Sequence, residues 1–387
     1  MPNFPKKLSQ KLEQRQHENA LRKLSTYSRL VDFSSNDYLG LAKSDGITNH
    51  WESLVQKFNL NTHSATGSRL LTGNHPIHEA FEAFLADFHG MDAALVFNSG
   101  YDANLGFFSA VPQRGDVIFY DEWVHASIRD GISMSKAQNY KFKHNDIADL
   151  SEGVLRIKKQ GKLQENTEIY VATESVFSMD GDSPNLLEIS AFCEKEGIHL
   201  VVDEAHASGI FGDGKGLVHE LGLSENVFAS VVTFGKAFGQ HGAAILGNEN
   251  LIQYLVNFAR SFIYTTALPP KEIASIWAAY LVLEQQGQKH IQGLKENIRF
   301  FLEKAETYGL QAHFIESISA IQSMRCSGND NAKATSDFLA EKGFDVKPIL
   351  SPTVPLGMER LRFCLHTFNT NEEINQVLKS IQRFNAS

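Results

Sequence analysis

Short, nearly continuous apolar runs alternate along the chain with longer amphipathic stretches, and the runs end in Gly, Asn, Asp or Ser. The candidate strands are AALVF (93–97), DVIFY (116–120), EIYVAT (168–173), HLVVD (199–203), SVVTF (230–234) and GAAIL (242–246). A strand that is apolar on both faces must be covered on both, and crossover helices between parallel strands do this. The pattern predicts an α/β fold: a mostly parallel sheet between helices such as the one expected near residues 185–196. The pair Pro269–Pro270 ends the alternation. A long helical region (271–308) follows, then a strand at AIQSMR (320–325), a helix near 333–342, a strand at LRFCL (361–365) and a helix near 372–384. This order divides the chain into an N-terminal helical segment (1–40), a large domain (41–272) and a smaller C-terminal α/β domain (273–387). In the first of these, LSQKLEQRQHENALRKL (8–24) has helical spacing.

The formal net charge of −9 argues against non-specific binding to nucleic acid or to an anionic membrane. Cys193, Cys326 and Cys364 are widely separated and odd in number, which suits free thiols in a reducing compartment. The first twenty residues are basic without an apolar core, and no run is long enough for a transmembrane helix, so the expected location is cytoplasmic. No P-loop, G-x-S-x-G, H-E-x-x-H or C-x-x-C motif occurs, and no metal is expected. His63, His75 and His78 read as cap or surface groups.

Three motifs carry chemistry. In HLVVDEAHASG an apolar strand ends in Asp203, followed closely by His206. Ligands of open α/β sheets sit outside the carboxyl ends of strands, and a carboxylate buried there needs a positive partner. In SVVTFGKAFGQHGAAIL, Lys236 stands in a Gly-flanked turn between apolar strands. Partial desolvation there frees its amine as a nucleophile, the state a Schiff-base lysine requires. In NSGYDANLGFF, Ser99, Gly100 and Tyr101 follow a strand and open a helix whose free N–H groups suit a phosphate. Carboxylate, lysine and phosphate cup together are the parts of a pyridoxal phosphate site, where a carboxylate keeps the ring nitrogen protonated.

The sequence also resembles the α-oxoamine synthases, pyridoxal phosphate enzymes of the fold-type I aminotransferase superfamily. The blocks that carry the likeness span most of the chain. They include FSSNDYLGLA (33–42), TGSRLLTGNHPIHEAFEAFLADFHG (66–90), NSGYDAN (98–104), HASI (125–128), HND (144–146) and TESVFSMDGDSPNL (173–186). Further along stand DEAHASGIFGDGKG (203–216), TFGKAFGQHGAAILG (233–247), FARSFIYTTALPP (258–270) and SPTVPLGMERLR (351–362). The resemblance implies a large domain with a mostly parallel seven-stranded sheet, a smaller C-terminal domain and a homodimer with a shared active site. It makes Lys236 the Schiff-base residue and later proton shuttle, and pairs Asp203 with the ring nitrogen. His206 approaches the ring oxygen and His125 stacks on the ring face. Gly100, Tyr101 and Thr233 hold the phosphate, Glu174 and Ser178 face the ring, and Thr265 and Thr266 reach the neighbouring subunit's phosphate. Asn36 and Thr353 fall in substrate-proximal segments.

The activity implied is a decarboxylative condensation of L-alanine with a pimeloyl thioester, on coenzyme A or acyl carrier protein, giving 8-amino-7-oxononanoate for biotin synthesis. Alternatives within the family pair glycine with an acetyl or succinyl thioester, or serine with palmitoyl-CoA. A non-catalytic cofactor-binding protein and a generic aminotransferase are the alternatives outside it. One departure stands out. The family's carboxylate-binding arginine precedes a P-P-T-V-P stretch, and here KPILSPTVP places Leu350 and Ser351 there. Leu cannot supply the bidentate contact of a guanidinium, so Arg362, ahead of Lys347, is the expected cation.

Overall fold

The apolar runs pair into one sheet. The computed structural model describes residues 4–24, 26, 29–161 and 163–386. Its main strands are β1 (Ala93–Phe97), β2 (Val117–Asp121), β3 (Gln138–Phe142), β4 (Ile169–Glu174), β5 (His199–Asp203), β6 (Ala229–Thr233) and β7 (Ala243–Gly247). Their order is β1-β7-β6-β5-β4-β2-β3. β7 runs antiparallel to both of its neighbours, and the remaining pairs are parallel. The expected mostly parallel, seven-stranded sheet is therefore present. Register sets the functional edge: Glu174 lies opposite Asp203, and Asp203 opposite Val231.

Each residue of β4 is buried, as expected of a strand covered on both faces. The helices that matter below are α1 (Lys6–His17), α2 (Gly100–Ala110), α3 (Ala126–Met134), α4 (Leu186–Glu196), α5 (Pro270–Thr307), α6 (Asn329–Glu341) and α7 (Asn371–Ala386). Phe107 and Phe108 of α2 and Ile128 of α3 share a core with Ile118, Val201, Val231 and Ile245 of the sheet. A second aromatic cluster joins Phe81 and Phe84 to Trp277, Tyr280 and Phe234. Each fully buried phenylalanine contributes roughly 1.5–3 kcal/mol by leaving water.

The N-terminal helix is shorter than its periodicity suggests. It stops at His17, because Asn19 adopts a left-handed backbone (φ 50°) that asparagine tolerates better than most residues. The Asn19 side chain fixes that turn by donating to Asp330 Oδ1 (2.7 Å) and accepting from Lys333 Nζ (2.6 Å).

The chain forms two compact units. The larger comprises Asn36–Ser178 and Ser183–Gln292, and the smaller takes the described residues before Asn36, Met179–Asp182 and those from Gly293 onward. Within the smaller unit β8 (Ile321–Arg325), β9 (Lys347–Ile349) and β10 (Arg360–Cys364) make an antiparallel sheet ordered β9-β10-β8. Buried Arg360 ion-pairs with buried Asp180 there, so neither charge lacks an opposite. Ser323 Oγ donates to the Met179 carbonyl (2.6 Å), tying the 179–182 segment to β8. No helix among the described residues is long and apolar enough to cross a membrane.

Glu204, directly after β5, holds the strand end to the GDGKG loop. Its buried carboxyl accepts the N–H groups of Leu217 (2.7 Å) and Val218 (3.0 Å). Burial pushes this carboxyl up to about 7, against the pull of those two N–H groups. The folded state therefore keeps a proton that the unfolded chain releases near 4.5, and stability falls as pH rises from there through about 7. Glu204→Gln is always neutral and should flatten that slope. Thermal melts across this range test it, and parallel slopes for the two proteins would count against a buried titrating Glu204.

Candidate active site

The carboxyl ends of β4, β5 and β6 bring Glu174, Asp203 and Thr233 to one edge of the sheet. Asp203 is buried, and both its oxygens are held by donors. Oδ1 accepts the N–H of Ala205 (2.9 Å) and Oδ2 accepts Nδ2 of Asn104 (2.7 Å). Those bonds offset part of the cost of removing the carboxylate from water. His206, also buried, places Nδ1 2.7 Å from the Tyr38 hydroxyl. The Tyr38 hydroxyl also lies 3.1 Å from Asn36 Oδ1.

Lys236 is half-buried in the turn that leaves β6. The N–H of Gly239 closes this turn onto the Lys236 carbonyl (2.9 Å). Gly239 has φ 62°, and a Cβ there would lie 2.4 Å from the Ala42 nitrogen, so only glycine fits. His125 caps α3, its Nδ1 accepting from the N–H of Ser127. Burial lowers its pKa; Asp203 pulls it back up, Lys236 and Arg129 push it further down, and Asp130 opposes them. His125, Asp203 and Lys236 thus share one electrostatic neighbourhood.

The approach to His125 is rigidly built. Buried Asp121 accepts the N–H groups of Trp123 and Asn145 (2.8 Å each) and lies 2.9 Å from His144 Nδ1. The His144 ring stacks on Trp123 with centroids 3.9 Å apart. Glu174 then accepts the N–H of His125 (2.5 Å). Burial, with Asp203 next, holds the Glu174 carboxyl well above the usual carboxylate range, against backbone N–H groups of His125 and Ser178. Ser178 is half-buried close to this carboxyl.

Gly100 is the first residue of α2, and Ser99 caps that helix by accepting the N–H of Asp102 (3.0 Å). A Cβ on Gly100 would stand 2.7 Å from Thr233 Cγ2. Glycine thus lets the helix N-terminus meet the end of β6 closely. Thr233 Oγ1 donates to the Ala205 carbonyl (3.4 Å). Tyr101 is exposed, and its hydroxyl donates to Asp130. Asn98 Nδ2 donates to Thr265 Oγ1 (3.1 Å) and to the Thr266 carbonyl (2.8 Å).

Two of the expected substrate residues lie in the smaller unit. Thr353 is exposed and accepts from Arg22 Nη2 (3.2 Å). Arg362 is buried in β10, with Nη1 3.0 Å from Cys364 Sγ. Lys347 is ion-paired with Asp345 (2.6 Å). His75 caps a helix as expected, and His78 is buried against the Leu268 carbonyl (3.0 Å). Among the described residues no group of three His, Cys, Asp or Glu side chains could hold a metal ion.

Sequence reasoning missed Tyr38, Asn104 and Ser127. Asn104 sits one turn after Gly100 on α2, and Ser127 is two residues after His125. Helical spacing within those blocks marks both positions, although no local pattern names their partners.

The aminotransferase class I and II family matches residues 28–381. The 8-amino-7-oxononanoate synthase of Emericella nidulans is 40% identical over 394 residues, covering 97% of this chain and 94% of its own. A structure of serine palmitoyltransferase from S. paucimobilis with bound PLP–myriocin superposes with a TM-score of 0.85 at 26% identity, covering 98% of this chain and 97% of that one. The structure of 8-amino-7-oxononanoate synthase from Francisella tularensis gives a TM-score of 0.75 at 29% identity, with 92% and 98% covered. By a family match over residues 28–381 and a relative 40% identical along nearly all its length, the chain belongs to the aminotransferase class I and II family, in its α-oxoamine synthase branch.

Proposed function

We propose that this protein uses pyridoxal phosphate to condense L-alanine with a pimeloyl thioester, with loss of carbon dioxide, to 8-amino-7-oxononanoate in biotin biosynthesis. One observation carries the reading: the charges of buried Asp203 and half-buried Lys236 both act on the imidazole of His125. The 40% identity to the Emericella nidulans synthase supports the choice of product.

The residues present fit the cofactor. Gly100 leaves a cradle that a Cβ would fill, at a helix N-terminus suited to phosphate. Asp203 would hold the ring nitrogen, His125 the ring face, His206 the ring oxygen and Lys236 the aldehyde carbon. Gly100, Tyr101 and Thr233 would hold the phosphate, with Glu174 and Ser178 facing the ring. When bound, pyridoxal phosphate supplies an electron sink for negative charge at an amino acid's α-carbon. Lys236 Nζ is the group that takes the α-proton and later returns it. Asn36, fixed by Tyr38, lines the substrate side. Glu174, its carboxyl shifted toward the protonated form by burial, supports the backbone of His125.

Arg362 is assigned to the amino-acid carboxylate, with Thr353 beside the substrate. Lys347, the other candidate, is ion-paired with Asp345. Thr265 and Thr266 are assigned to the phosphate of a neighbouring subunit in a homodimer. Exposed Leu71 and Tyr264, on or next to the touching segments Arg69–Gly73 and Arg260–Ile263, support that assembly. A cytoplasmic location accompanies this reading. Serine palmitoyl transfer is a second reading, favoured by the higher TM-score of the S. paucimobilis structure.

Incubation with alanine, serine or glycine against pimeloyl, palmitoyl, acetyl and succinyl thioesters, with product masses recorded, decides between them. Alanine with the pimeloyl thioester should give 8-amino-7-oxononanoate, and a sphingoid ketone from serine would replace the assignment. Lys236→Ala should lose all turnover together with the visible absorbance of the bound cofactor; if both persist, Lys236 is not the anchoring amine. Gly100→Ala forces a methyl against Thr233 and should weaken cofactor retention about tenfold or more, measured by fluorescence titration of the apoprotein. Unchanged affinity would remove Gly100 from the phosphate site.

A further inference from the structure

We propose that Asn104 and Ser127 form a one-way hydrogen-bond relay through which the Asp203 carboxylate fixes His125 as a neutral imidazole with its proton on Nε2. The relay reads residue by residue in one direction. Asp203 Oδ2 can only accept, so the group 2.7 Å away on Asn104 must be its Nδ2 amide. The other hydrogen of that amide points to Ser127 Oγ at 3.0 Å. With its oxygen accepting from Asn104, Ser127 has its hydroxyl hydrogen left for His125 Nδ1, 2.8 Å away. The backbone N–H of Ser127 also points at Nδ1, at 3.3 Å. Two donors converge on Nδ1, which must therefore be the unprotonated nitrogen, leaving Nε2 with the proton.

All four side chains belong to the larger unit, and Asn104, Ser127 and Asp203 are buried. Asn104 Oδ1 accepts no hydrogen bond among the described residues, so its two donors hold the amide. The charged groups that face His125 are Asp203 on β5, Lys236 after β6, and Arg129 and Asp130 on α3. Asp203 alone would favour a charged imidazole, and the relay opposes this by turning the same carboxylate into a reason for Nδ1 to accept. Asn104 and Ser127 are therefore positioning residues. Their meaning for a cofactor ring between Asp203 and His125 rests on the function proposed above, whereas the tautomer itself does not.

Full-length protein with 15N-labelled histidine tests this by NMR, with and without pyridoxal phosphate, the His125 signals being assigned by His125→Asn. The wild type should show an unprotonated Nδ1 and a protonated Nε2 near neutral pH. Ser127→Ala removes one donor to the neutral ring and should raise the His125 titration midpoint by roughly one unit, with Asn104→Ala moving it the same way by less. A proton on Nδ1 in the wild type, or midpoints unmoved in folded variants, would overturn the relay. The wild-type tautomer needs no variant, so misfolding of either substitution leaves the test decisive. The expected tautomer in a protein that fails to bind pyridoxal phosphate would sink the proposed function and leave the relay standing.

Discussion

A buried carboxylate at the end of β5 is the constraint to which the rest of the larger unit answers. Asp203 is buried, and an isolated charge there would neutralise itself or destabilise the fold by several kcal/mol. The chain meets that demand from two directions. The backbone beyond the strand gives the Ala205 N–H, and α2 gives the Asn104 amide. Each provider sits where it does because a parallel sheet aligns the carboxyl ends of its strands. Remove the carboxylate and Asn104 loses an acceptor in a buried setting.

Burial also thins out the competing charges. Glu174 and Glu204 flank Asp203 closely enough for it to help raise their pKa values, after burial itself. A carboxyl that holds its proton adds no repulsion to the neighbourhood. His125 is pushed the other way, toward a neutral imidazole, by the same loss of water. Three ionisable groups are thereby moved toward neutrality around one aspartate and one lysine. A neutral surrounding leaves the charges of Asp203 and Lys236 less screened by like or opposite neighbours.

Much of the sheet was legible because its signal is local. HLVVD and AALVF mark β5 and β1 to the residue, since a strand buried on both faces admits almost nothing but apolar side chains. The strand-end Asp203 and the glycine-flanked Lys236 were legible on the same ground. The N-terminal helix was overextended, because the periodicity of LSQKLEQRQHENALRKL says nothing about Asn19 taking a left-handed turn held by Asp330 and Lys333. Asn104 and Tyr38 were illegible for a related reason. Their partners stand 99 and 168 positions away, and no window of sequence joins them. The segment FSMDGD hid a further division: Ser178 belongs to the larger unit, and the next four residues to the smaller.

The chemical identity of Asn104 matters more than its polarity. A relay built only of hydroxyls can reverse, since each oxygen both donates and accepts and the chain has two states of similar energy. An amide with a carboxylate on one side cannot do so, because turning its oxygen toward Asp203 would set two acceptors face to face in a buried space. Aspartate in that place would add a second negative charge, and a water would be free to rotate. Asparagine on α2 is the choice that carries the sign of Asp203 to His125 without carrying a charge. It also ties the helix that opens at Gly100 to the strand that ends at Asp203 through one side chain.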